Sequence, residues 1–91
     1  VADVPDQRAA PVVHVVTIKG MQFDPAELVV ERGSEVVWVN EDLVPHTATA
    51  RAFDSGNIPT GASWAHVASQ AGDHPYVCAF HPTMKGRLIV R

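Results

Sequence analysis

The chain has 91 residues, enough for one domain with a single buried core. Its 46% hydrophobic and 19% charged residues are those of a globular protein rather than a disordered one. A formal net charge of −3 without any run of Lys or Arg excludes a footprint for nucleic acid or an anionic membrane, no apolar stretch approaches the roughly 18 residues of a bilayer span, and a single cysteine excludes an internal disulfide framework.

Residues 1–11 are polar, carry Pro5 and Pro11, and are expected to form a loose leader or a first edge ahead of one domain over 12–91. From there short apolar runs alternate with turn residues, the pattern of an all-β chain. The run VVHVVTI (12–18) stops at Lys19-Gly20, ELVVERG (27–33) closes on Gly33, and SEVVWVN (34–40) gives way to the acidic turn Glu41-Asp42. HTATA (46–50) is short and polar, as an edge strand would be. SWAHVAS (63–69), HPYVCAF (74–80) and GRLIVR (86–91) complete the series. No window of 12 or more residues sustains a helical period without a Gly or Pro break. The expected fold is therefore a Greek-key β-sandwich of about seven to eight strands.

The chemistry concentrates in CAFHPTMKG, where Cys78, His81 and Met84 follow one another at spacing C-x2-H-x2-M. With five His and two Met in the chain, that coincidence arises by chance about once in a thousand. A thioether binds weakly, so a fourth ligand has to come from elsewhere, and His46 in EDLVPHTAT is the best placed. Two imidazoles and a thiolate in a trigonal set, with a long axial thioether, are the ligands of a type 1 copper site. The thiolate forms a covalent bond to Cu(II), imidazole suits both oxidation states, and a weak axial ligand leaves a geometry that changes little on gaining an electron.

On these residues the chain resembles the cupredoxins, and within them the amicyanin type with its short C-x2-H-x2-M loop. The resemblance runs over 12–91 and is carried by MQFDPAELVVERGSEVVWVNEDLVPH, the FDSG segment with the following Ser63-Trp64, and YVCAFHPTMKG. It implies His46, Cys78 and His81 as equatorial ligands and Met84 as the axial one. It also implies a one-electron carrier with one copper ion, cycling between Cu(II) and Cu(I). A quinoprotein dehydrogenase as donor, a c-type cytochrome as acceptor, a monomeric state and a periplasmic setting with the secretory signal removed follow from the same resemblance. Two positions depart from the pattern. Thr47 stands where the family commonly has Asn, and its hydroxyl hydrogen-bonds but reaches less far. Phe80 stands where such loops tend to have Pro, so an N–H is available to the Cys78 sulfur and a higher reduction potential is expected.

Leu43, Val44, Pro45, Ala79, Phe80, Pro82 and Thr83 are uncharged and flank the ligands; they are expected to form a docking patch around His81. Met21, His14, His66 and His74 are expected to be structural or surface residues, and Trp38 and Trp64 to belong to the core or a sheet face. The alternative function is copper delivery or storage, since the same ligands bind Cu(I). A Cys78 nucleophile with His46 or His81 as base lacks an orienting partner and leaves Met84 without a role. No enzyme activity is expected, because four ligands leave no open position for a substrate.

Overall fold

The computed structural model describes residues 12–91, so the expected leader at 1–11 lies outside the described residues. Seven strands follow in order: β1 (Val13–Lys19), β2 (Gln22–Asp24), β3 (Glu27–Val30), β4 (Glu35–Asn40), β5 (Ser63–Val67), β6 (Gly72–Cys78) and β7 (His81–Val90). They form two sheets, β2-β1-β4-β5 and β3-β7-β6. The sheets pack face to face, and the all-β sandwich expected from the pattern of short apolar runs is what the chain forms.

Alternation explains which side chains meet between the sheets. On β4 the inward positions are Val36, Trp38 and Asn40, all fully buried; on β7 they include Met84, Leu88 and Val90. Parallel pairing of β1 with β4 and of β3 with β7 follows from a chain that crosses between sheets after β2, after β3 and again after β5. Trp38 sits at the centre, with Tyr76 edge-on at 5.4 Å between ring centroids, Phe53 at 5.5 Å and Trp64 at 5.6 Å. Such a cluster dominates the apolar burial of so small a domain. Where Tyr76 crosses β7 only glycine fits: a Cβ on Gly86 would lie 2.3 Å from Tyr76 Cζ.

Three details differ from the sequence reading. The HTATA segment is not a strand but makes isolated bridges, His46 to Ile58 and Thr49 to both Asp54 and Val77. Its backbone is shared among separate partners, so no continuous ladder forms. β2 was not anticipated; it is three residues long and closes a hairpin through Gly20 and Met21, with φ of 63° and 60°, the two positive values that a type I′ turn requires. β7 begins at His81, earlier than the Gly86 suggested by composition. β6 and β7 pair until Cys78 faces His81, with an irregular register between Val77 and Cys78, so the turn shrinks to Ala79-Phe80. β6 is an edge strand and carries Pro75, a residue confined to edges because it donates nothing to a ladder.

Candidate metal centre

Three segments converge at one end of the sandwich. The connection after β4 supplies His46, the end of β6 supplies Cys78, and the start of β7 supplies His81. Their ligand atoms all lie within 4.8 Å of one another. Cys78 Sγ is 3.6 Å from His46 Nδ1 and 3.7 Å from His81 Nδ1. His46 and Cys78 are fully buried, and His81 is half-buried. Met84 is buried on β7, three residues past His81.

A donor–donor separation tests whether a metal fits. Bond lengths of about 2.0 Å to imidazole and 2.3 Å to thiolate, set at trigonal angles, place N and S about 3.7 Å apart. The observed separations match that value, so the three side chains are spaced for one ion in a trigonal set. A hydrogen bond between sulfur and imidazole alone does not require both rings to present the same nitrogen.

His46 presents Nδ1 because its other nitrogen is taken. Nε2 lies 2.7 Å from Asp42 Oδ2, and a carboxylate oxygen accepts, so Nε2 carries the proton and Nδ1 is left with a lone pair. Asp42 is itself fixed by the β1–β2 turn: Gly20 N–H donates to Oδ1 at 2.6 Å and Met21 N–H to Oδ2 at 3.0 Å. Desolvation works to raise the Asp42 carboxyl, but the Met21 N–H, His46 and the Gly20 N–H outweigh it and hold it below the usual carboxylate range. The carboxylate in turn occupies the two N–H groups of a turn in which Met21 adopts a backbone conformation uncommon outside glycine. Asn40, fully buried, anchors the whole connection. Its Nδ2 donates to Val44 O and Ile58 O, each at 2.9 Å, and its Oδ1 accepts from Asp42 N–H at 2.9 Å.

Sulfur has its own donors. Thr47 N–H points at Cys78 Sγ at 3.4 Å. Burial pushes the thiol up, yet the Thr47 N–H, the two imidazoles and, most weakly, the Phe80 N–H bring it down to about 6. A site that stabilises thiolate before any cation arrives is prepared for one. Thr47 also uses its hydroxyl, which accepts from Ala79 N–H at 2.7 Å. The shorter side chain does span the gap to the ligand turn.

Sequence reasoning groups His46, Cys78, His81 and Met84; the structure brings the ligand atoms of His46, Cys78 and His81 together, and Met84 lies buried on β7. Leu43, Val44, Pro45, Ala79, Phe80, Pro82 and Thr83 are all exposed, Leu43 at 92% and Phe80 at 51%. His14, His66 and His74 stay outside the cluster; His66 stacks on Trp64 at 5.6 Å. Met21 is exposed in the β1–β2 turn. Asp42 and Asn40 were missed. The available signal was an acid four residues ahead of a ligand histidine inside a turn.

Residues 2–90 match the family model of the cupredoxin-like domain. Amicyanin of Paracoccus versutus is 30% identical over 83 residues, which take in 84% of this chain and 63% of that protein, so the chain spans under two thirds of its length. A purple cupredoxin from Nitrosopumilus maritimus superposes with a TM-score of 0.81 at 28% identity, covering 86% of this chain and 99% of that one. The Cu(I) form of an amicyanin mutant superposes with a TM-score of 0.82 at 26% identity, over 90% of this chain and 85% of the other.

Proposed function

The chain belongs to the cupredoxin-like domain family, and on that premise we propose that it is a one-electron carrier in which His46 Nδ1, Cys78 Sγ, His81 Nδ1 and Met84 would hold a single type 1 copper ion. The observation that carries this reading is the pair of sulfur–nitrogen separations, 3.6 and 3.7 Å, at the spacing of a trigonal thiolate–imidazole set. When bound there, copper supplies a Cu(II)/Cu(I) couple with a covalent thiolate bond. The chain's own residues hold the donors still. Asp42 fixes the His46 ring, Thr47 N–H steadies the sulfur, and Asn40 locks the connection between them. Donors that do not move cost little rearrangement when charge changes.

Burial supports this reading over a thiol enzyme: Cys78 is 0% exposed. The exposed, uncharged side chains of Leu43, Val44, Pro45, Ala79, Phe80, Pro82 and Thr83, flanking the clustered residues in the chain, support a docking patch beside the half-buried His81. Docking of this kind is brief, so that turnover is fast. From the amicyanin likeness we take a quinoprotein dehydrogenase as donor, a c-type cytochrome as acceptor, a monomeric carrier and a periplasmic setting. Among the described residues no helix is long and apolar enough to cross a membrane.

The test is a visible absorption spectrum on adding Cu(II), repeated after ascorbate and again after reoxidation. An intense band that bleaches and returns is expected. A colourless protein that retains Cu(I) through Cys78 would replace electron transfer with copper delivery or storage.

A further inference from the structure

The Thr47 hydroxyl does not end at Ala79. Its Oγ1 lies 2.9 Å from Thr49 Oγ1, and Thr49 Oγ1 donates to Asp54 Oδ1 at 3.1 Å. Proton bookkeeping orients the line. A carboxylate oxygen only accepts, and each threonine has one proton to give. Thr49 spends its proton on Asp54, so between the two hydroxyls Thr47 is the donor. Thr47 then has only lone pairs to offer Ala79 N–H, which donates to it at 2.7 Å. Every bond points the same way, from the Cys78–Ala79 peptide to the carboxylate.

We propose that Thr49 and Asp54 are positioning residues for the metal centre, acting through Thr47 as a one-way hydrogen-bond relay that fixes the Ala79 amide and with it the orientation of Cys78. The relay is pinned at its carboxylate end and at its middle. Asp54 Oδ1 also accepts from Gly56 N–H at 2.9 Å, and the Thr49 backbone exchanges two bonds of 2.9 Å with Val77, next to Cys78. Hydrogen bonds in series polarise one another, and a charged terminus strengthens those behind it. The carboxylate therefore makes Thr47 Oγ1 a better acceptor, which holds the Ala79 peptide plane in place. Thr47 serves the sulfur twice, by its own N–H to Sγ and by holding the residue that follows the cysteine. None of this is visible from ligand spacing.

The inference rests on the proposed ligand set only where copper is read out, and its main test needs no copper. Amide hydrogen exchange at Ala79 in the metal-free protein is compared between wild type, Thr49→Val, Thr49→Ser and Asp54→Ala. Thr49→Val removes a hydroxyl with no change of charge and little change of shape. Loss of one oriented hydrogen bond predicts roughly tenfold faster exchange at Ala79, with Thr49→Ser restoring the wild-type rate. Asp54→Ala, at an exposed position, should speed Ala79 exchange in the same direction and covers the case in which Thr49→Val does not fold. After copper loading, the thiolate absorption band should move in Thr49→Val and return in Thr49→Ser. Unchanged Ala79 exchange in Thr49→Val or in Asp54→Ala overturns the relay, as does a Thr49→Ser variant that exchanges as fast as Thr49→Val. A failure to bind copper, with the Ala79 effect intact, would count against the ligand set and leave the relay standing.

Discussion

Asp42 and His46 stand four residues apart in the chain, and the carboxylate of the first lies 2.7 Å from Nε2 of the second. That contact ties His46 to the β1–β2 hairpin just past the end of the β1–β4 ladder, because the same carboxylate takes both N–H groups of the Gly20-Met21 turn. The ring orientation of a buried ligand is thus set by a hairpin on the neighbouring strands. Asp42→Ala should lower copper affinity by roughly 10–100-fold, the usual cost of losing the partner that orients a ligand histidine. Competition with a Cu(I) chelator measures it, and a change under about twofold would show that packing alone holds His46. Met21→Gly, which relieves the positive φ and keeps the carboxylate, should leave the affinity where it is.

Replacing Phe80 by Pro removes the N–H that contributes to lowering the Cys78 thiol. A donor to sulfur reduces the charge it offers the metal and favours Cu(I), so Phe80→Pro should lower the reduction potential. Voltammetry of the two loaded proteins decides the matter; an equal or higher value in the variant would contradict the role given to this N–H.

The metal-free protein should show the lowered thiol directly. Cys78 falls from an ordinary value of 9.0 to about 6 on folding, so the folded state binds the proton less well than the unfolded one. The thiol's contribution to stability is complete above pH 9 and is lost as pH falls toward 6. Urea unfolding of metal-free wild type should therefore gain stability between those pH values, and Cys78→Ser should lack that part of the slope. Parallel profiles for the two proteins would place the sulfur in an ordinary environment.

Gly86→Ala is expected to destabilise the sandwich by about 1–3 kcal/mol, because the new methyl would meet Tyr76 at 2.3 Å. The glycine is there for room, since its φ is not among the positive ones. A denaturant midpoint with unchanged slope measures the loss. A wild-type midpoint would mean that the Tyr76 ring slides aside freely.

Residues that repeat at the period of a strand announced themselves: Val36 and Trp38, Leu88 and Val90 are buried where alternation puts them. The cluster of Cys78 and His81 with His46 was legible too, because soft side chains crowd a short stretch for few reasons. What escaped was whatever depends on two distant turns facing each other. Asp42 reads as one acid in an acidic turn until the Gly20-Met21 hairpin is folded beside it. Thr49 and Asp54 look like ordinary loop polarity until the segment bends back on itself. HTATA was expected to pair as a strand, but its threonines are engaged with Ala79, Asp54 and the sulfur, and its backbone has different partners at different residues. Short β2 lacked the length for any alternation to register.

Pro75 lies midway along the open part of β6, upstream of the point where Thr49 covers Val77. An uncovered strand is an invitation to any other extended chain. A missing N–H at its middle breaks the row of donors that a visitor would need, and Asp73 and Arg87, exposed and paired at 3.1 Å across the same stretch, add charge to the rim. This side of the sandwich is therefore a poor template for a second strand.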